Sequence, residues 1–539
     1  MRQMTAILAL LAASAFLLAT CVITPQATGP DIPPELHAIM EAGRAIALPP
    51  PHPDFARIAA GYLTPNLDAE ADARVAAEFR RQVDPNFSIF NPRGIGRQAP
   101  PQPETLSHAE IAREINFFFD LLRSVYAGYQ HFGGDGVFLP IRDSMLAQLP
   151  SMPNPMPRMT YLQELLAPPL RGVIVDNHFG IHNVPFRAPG HWLYMREDLV
   201  PRREGDGFVV ELDGATHRVI DTTLPDGTSV NGILPTLTRD GEIAWAFARL
   251  ASDTMTTRIT AILENIETGQ RRSLDLSLPW VENPAQTSFP LLETREEGGV
   301  KIMTTRSMVG EWSDERGFQE TLDDFFRAGR EARESPVLVL DLRGHGGGFI
   351  QLGYAWMRGF AGRGPAPEMA FMSYTLGSLS MVEFGLGYRS DVLFDPALPQ
   401  PVWEMRLSER LRDPDPQPRW LSPDFGHLRE LIPSDNIIIV LIDNNAGSSG
   451  EVFIGYLRQL ENALFVGTNT RGVLVTGGAI GVRLPYSGFE VRLGTTLNLR
   501  PDFSQFEGVG FLPDLWVPPG ESLERALAFI ERYGLNSAR

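Results

Sequence analysis

The chain has 539 residues, a formal charge of -18 and a pI near 5.1. Its hydrophobic content of 43% is that of a folded protein, and its length exceeds what one hydrophobic core supports, so two or three domains are expected. The acidity and the lack of any basic stripe exclude nucleic acid as a partner, because phosphate binding needs clustered positive charge. Lys301 is the only lysine.

Residues 1–20 pair an early Arg2 with an apolar run from Ala6 to Ala19, too short for a comfortable membrane span, and read as an export signal. Leu18-Ala19-Thr20-Cys21 follows and resembles a bacterial lipobox, in which the cysteine is lipidated and becomes the mature N-terminus. Cys21 is the only cysteine, so no disulfide can form within the chain. The expectation is an exported protein, periplasmic or anchored in a bacterial cell envelope through lipidated Cys21.

Residues 21–56 are rich in Pro, Ala and Gly, including Pro49-Pro50-Pro51, and read as a tether. A second Pro-rich stretch runs from Pro92 to Pro103. Residues 57–192 read as a helical N-terminal module, clearest from Ser107 to Tyr129, where Ser107 and Glu110 form a capping box ahead of Ile111, Ile115, Phe118 and Leu122. Residues 193–290 show short alternating runs broken by Asp-Gly and Glu-Gly pairs, the pattern of a small β-rich domain. In residues 291–539, apolar strands such as Val337 to Leu342 and Ile437 to Ile442 alternate with helical stretches from Phe349 and from Glu451 to Leu460. That order implies an α/β sheet buried on both faces, so the fold class is α/β, with helical and β-rich parts before the α/β core.

Two strand-to-helix turns gather the chemistry, as such turns do at the carboxyl ends of strands in open α/β sheets. In Asp341-Leu-Arg-Gly-His-Gly-Gly-Gly-Phe349, consecutive glycines leave backbone N–H groups able to turn inward, as an oxyanion hole requires, although the same loop suits phosphate or tight packing. In Asp443-Asn-Asn-Ala-Gly-Ser-Ser-Gly-Glu451, Ser448 is flanked by small residues directly before a helix. Its spacing to Glu451 is equally that of a helix-capping box.

These two turns, followed by Val466-Gly-Thr-Asn-Thr-Arg-Gly472 and Glu507-Gly-Val-Gly-Phe-Leu-Pro-Asp514, resemble the core of the tail-specific (C-terminal-processing) serine peptidases and their tricorn-like relatives, over roughly residues 295–520. The resemblance implies Ser448 as nucleophile and an oxyanion hole formed by the N–H of Gly346 or Gly347 with that of Ser449. His345 stands where family members commonly have Asn and reads as a loop-shaping residue held in reserve. Many members take their base from a Lys at the place of Val473, so the Ser–Lys dyad is absent here. The Ser–His–Glu branch, which includes the chlamydial protease-like activity factor, fits better. By that resemblance Asp176-Asn-His178, after an apolar strand Val173 to Val175, supplies the base, Glu507 orients it, and Glu451 is a reserve carboxylate that holds the turn.

His178 and His182 have a metal-like i,i+4 spacing, but Gly180 disfavours a helix there and Phe179 stands where a zincin has Glu. No metal and no cofactor are expected. The reading is a serine endopeptidase acting on proteins or peptides of the cell envelope. The alternative is a non-catalytic ligand- or peptide-binding protein on the same fold, and a serine-directed fluorophosphonate separates the two. The β-rich domain occupies the position of a PDZ domain in many tail-specific peptidases but matches a PDZ sequence poorly.

Overall fold

The computed structural model describes residues 33–62, 69–82, 102–252, 257–286, 288–310, 315–365, 371–374, 431–504 and 506–536. The export signal, Cys21, the start of the tether and nearly all of the Pro92–Pro103 stretch lie outside the described residues.

Part of the expected tether is a structural helix. Helix α1 (Pro34–Ala47) begins on a proline, whose fixed φ suits the first turn, and buries Leu36, Ile39 and Met40. These three pack on one face of the main sheet, so the tether reading is corrected for residues 34–47. The apolar positions have helical spacing, but the Pro and Ala around them mask it at the level of composition. Short helices α2 (Phe55–Ala60) and α3 (Ala69–Gln82) follow. Helix α4 (His108–Val125) starts at the expected capping box, with Ser107 N–H donating to Glu110 Oε2 at 2.8 Å and Glu110 N–H to Ser107 Oγ at 3.3 Å. With α5 (Gly134–Gln148) it forms a core around Ile111, Phe118, Leu122 and Phe138.

The segment carrying His178 is itself a strand, β1 (Asp176–Ile181), and pairs antiparallel with β2 (Val184–Phe186). Residues 173–175 form no strand, which shifts the expected one to the polar residues beyond it. Eight strands between Trp192 and Leu278 then form a three-stranded and a five-stranded antiparallel sheet around Tyr194, Val210, Phe247 and Ile259. Leu193, Met195, Ala246 and Ala248 of this β-rich part pack against Trp516.

The main sheet begins with β3 (Glu293–Glu297) antiparallel to β4 (Val300–Thr304). Helix α6 (Glu315–Ala332), β5 (Val337–Asp341), α7 (Ile350–Ala361), β6 (Ile437–Ile442), α8 (Ser449–Arg458) and β7 (Ala463–Gly467) follow. Next come β8 (Ile480–Arg483), β9 (Glu490–Leu493), β10 (Leu515–Trp516) and α9 (Ser522–Arg532). The sheet order is β3-β4-β5-β6-β7-β10, parallel from β4 onward. Leu338, Leu340, Ile438 and Val440 face α6, α7 and α8, while Val337, Val339, Ile437 and Ile439 face α1 and α9. Both faces are therefore buried, which is why these strands are apolar throughout.

Strands β8 and β9 leave this sheet and extend β1 and β2 in the order β8-β9-β1-β2. Val482, Val491 and Leu493 are buried in the core of the helical module, so the C-terminal part completes the N-terminal one. That exchange brings β1 to the serine turn.

Candidate active site

Asp443 at the end of β6 fastens both loops of the cleft. Its Oδ1 accepts N–H bonds from Gly344 at 2.7 Å and from Asn445 at 3.0 Å, tying the glycine loop to the serine turn. A buried cluster holds the base of the glycine loop: Asp341 takes paired bonds from Arg306 at 2.6–2.7 Å and from Arg343 at 2.7–2.9 Å. Burial raises the Asp341 carboxyl, but the two guanidinium groups outweigh it and hold it at about 2.

Ser448 has φ 55 and ψ -128, a conformation that costs a non-glycine residue energy and that recurs where a nucleophile is raised off a strand-to-helix turn. Its N–H donates to Glu451 Oε2 at 3.2 Å, while its hydroxyl lies 3.1 Å from Nε2 of His178. Glu451 thus braces the backbone of the serine turn. It also accepts the N–H groups of Gly472 at 2.7 Å and Val473 at 2.8 Å, and the hydroxyl of Thr470 at 2.5 Å. Complete burial pushes its carboxyl up to about 7 despite these donors.

His178 is fixed through its backbone, whose N–H donates to Asp176 Oδ1 at 2.8 Å and whose carbonyl accepts Arg492 Nε at 3.2 Å. Asp176 is fully buried and also receives the hydroxyls of Tyr126 and Thr476, each at 2.7 Å. Desolvation lowers the His178 pKa, the Asp176 carboxylate opposes this, and the Arg492 charge adds to it. A neutral imidazole with Nε2 free to accept is the result favoured near pH 7.

The structure does not bring Glu507 onto the ring. Its Oε1 accepts the N–H of Asn177 at 2.7 Å, and its Oε2 accepts those of Leu474 at 2.9 Å and Val475 at 2.8 Å. Nδ1 of His178 is buried with no hydrogen-bond partner among the described residues. Burial first and the neighbouring Asp176 second push the Glu507 carboxyl up to about 8. Glu507 is next to the base in space and holds the residue before it, but by backbone contacts.

The N–H groups left open to the cleft are not the expected oxyanion set. Gly346 N–H is taken by the Arg306 carbonyl at 3.0 Å and Gly347 N–H by His345 Nδ1 at 3.1 Å. The N–H groups of Gly348 and Ser449 have no partner among the described residues, and both residues line the cleft. The correction is one residue along the loop, from Gly346 and Gly347 to Gly348, with Ser449 retained. Gly347 and Gly348 both take positive φ here, 97 and 129. Gly347 must be glycine, since a Cβ would come within 2.8 Å of Ser448 Cβ. His345 is buried and shapes the loop, its carbonyl accepting Gly447 N–H at 2.9 Å; burial lowers its ring to about 4, which keeps it neutral.

Lys301 turns its Nζ to the carbonyl of Glu331 at 3.1 Å. Val473 is buried beside Gly447 on the cleft wall. His182 sits past the end of β1, its ring against Phe489, rather than one helical turn from His178. Two contributors escaped the sequence reading. Gly348 was hidden within a run of three glycines, whereas Asp176 stands in the Asp-x-His segment itself and its burial ahead of a histidine was the available signal.

The cleft has a volume of about 930 Å³ and is open along Ser448 and His178. A strained serine at a helix start, an imidazole within hydrogen-bond reach and two inward N–H groups, at the carboxyl edge of an α/β sheet, are the parts of a serine-type hydrolase. Residues 300–517 match the model of peptidase family S41, so this part of the chain is a serine-type peptidase core. No curated protein matches the sequence. Among solved structures it is similar to mature CPAF, with 14% identity over 79% of this chain and 96% of that one at a TM-score of 0.34. It is also similar to the photosystem II D1 C-terminal processing protease, at 16%, 78%, 97% and 0.33 in the same order, and to the tricorn protease, at 16%, 79%, 37% and 0.30.

Proposed function

We propose that the chain is a serine endopeptidase of the cell envelope in which Ser448 attacks the peptide carbonyl and His178 carries its proton. The observation that carries this reading is the 3.1 Å contact between Ser448 Oγ and His178 Nε2. Nε2 accepts the serine proton as the C–O bond forms, and the tetrahedral oxyanion is received by the N–H groups of Gly348 and Ser449. The protonated ring then gives its proton to the leaving amine, and water repeats the cycle on the acyl-enzyme.

Glu507 is the third member in this reading as a positioning residue, because it anchors the Asn177 N–H one residue before the base. The carboxylate of Asp176 favours the imidazolium formed during attack. Envelope substrates follow from the apolar start and the Leu18-Ala19-Thr20-Cys21 sequence. The domains are assigned as 57–192 and 193–290 ahead of a 291–539 peptidase core, with β8 and β9 lent back to the first.

A fluorophosphonate probe tests the reading. The wild-type chain labels at Ser448 and Ser448→Ala does not. His178→Ala retains its fold by circular dichroism and loses at least about 10³-fold in kcat/KM for a peptide substrate. Undiminished turnover in His178→Ala would remove the histidine from the mechanism.

A further inference from the structure

Charge is distributed against the trend of the molecule inside the cleft. The chain has 65 acidic residues to 47 basic ones, and arginines elsewhere commonly meet carboxylates, as Arg458 meets Asp514 and Arg525 meets Glu197. The residues lining the cleft include Arg187, Arg471 and Arg492 and no aspartate or glutamate. All three are exposed, and none forms an ion pair among the described residues. Among the described residues the lining of this cleft is thus one-signed, while Arg187 and Arg492 also border an adjoining hollow that contains Glu490.

Two of the three bond to the segments that carry the reacting groups. Arg492 follows Val491 in β9, and its Nε donates to the His178 carbonyl at 3.2 Å. Arg471 donates its N–H to the Ala446 carbonyl at 2.8 Å, two residues before Ser448. Its side chain reaches only the Asn444 carbonyl and Asn445 Oδ1, both at 3.5 Å, too long to occupy the donors. Arg187 leaves β2 on the same wall as His178. Guanidinium groups match carboxylates in a planar, two-bonded geometry that lysine cannot copy. A cleft of one sign also concentrates ligands of the other sign against the net charge outside.

We propose that this cleft selects peptides bearing a carboxylate close to the scissile bond, read by Arg492 and Arg187 on one wall and Arg471 on the other. The inference rests on the serine-peptidase reading and adds the chemical class of its substrate. Acidic side chains and the substrate's own C-terminal carboxylate present the same group, so the test separates them.

The probes are four fluorescent peptides of one sequence, with Glu or Gln flanking the cleavage point and each as a free acid or an amide. Binding is measured by anisotropy on Ser448→Ala, which needs no turnover, and kcat/KM is measured on the wild type. Selection by side chains makes the Glu peptides about tenfold better than the Gln peptides with either terminus. Selection of the terminus makes the acids about tenfold better than the amides with either side chain. In Arg187→Gln/Arg492→Gln the preference ratio falls toward one, and this ratio is independent of the fraction of active enzyme. Equal binding of all four peptides, or an unchanged ratio in the double variant, overturns the proposal. Equal peptides that are nonetheless cleaved leave the peptidase reading standing. Selective binding without turnover or fluorophosphonate labelling overturns that reading instead.

Discussion

Val473 occupies the position at which a Ser–Lys peptidase has its base, and its surroundings show what a lysine would meet there. Its N–H is held by Glu451 at 2.8 Å, its side chain packs toward Gly447, and only 8% of the residue is exposed. A cation at that point is poorly solvated and opposes the protonated state that His178 must reach during attack. Val473→Lys is therefore expected to lower kcat/KM by at least about tenfold; equal or higher activity would show that the site accepts a lysine base. The pH profile tests His178 separately. Burial lowers its pKa, and the base is the unprotonated ring, so kcat/KM in the free enzyme holds as pH falls to 6.5 and declines only below it. A midpoint above 7 would contradict a desolvated histidine, and a profile flat to pH 5 and beyond would contradict the base itself. Ser448 and His178 are legible in the sequence because each stands in a compact local pattern. The direction of a backbone N–H is not legible, since it depends on the φ that each glycine of the loop takes. The partner of Glu507 is not legible either, because a motif supplies the carboxylate but its three backbone donors come from two other segments.

Elements built from apolar runs are legible for a simple reason: β5 and β6 are buried on both faces, so every position reports the same environment. Helix α1 shows the opposite case. Its buried positions are Leu36, Ile39 and Met40, set among prolines, alanines and charged residues that resemble a linker in composition. The packing predicts its weight. Leu36 is 1% exposed against the sheet face made by Val339, Ile439 and Leu441, so Leu36→Ala is expected to cost about 2–5 kcal/mol in urea unfolding. A change below about 0.5 kcal/mol would return this segment to the role of a tether. Strands β8 and β9 are a further instance. Their alternation identifies them as strands, but nothing local says that they pair with β1 instead of the main sheet.

At the scale of the whole molecule, the proposed lipid anchor rests on the sequence Leu18-Ala19-Thr20-Cys21 alone. Among the described residues no helix is long and apolar enough to cross a membrane, so an attachment made through Cys21 has no helical substitute there. Cys21→Ala is expected to move the protein from the membrane pellet to the soluble fraction after cell lysis, with peptidase activity per molecule unchanged; identical fractionation would show that the lipobox resemblance is accidental. The two reacting groups have a different relation to the fold. Ser448 and His178 are 270 residues apart in the chain, and they meet only when β9 has paired with β1. Such distant pairing is slow to form, because the loop must close before any contact rewards it. The reactivity of Ser448 is thereby a clock for the last stage of folding. A chain emerging from denaturant can bury its tryptophans and gain its helices while remaining inert to a fluorophosphonate, and the rate at which labelling appears times the moment when its two ends are joined.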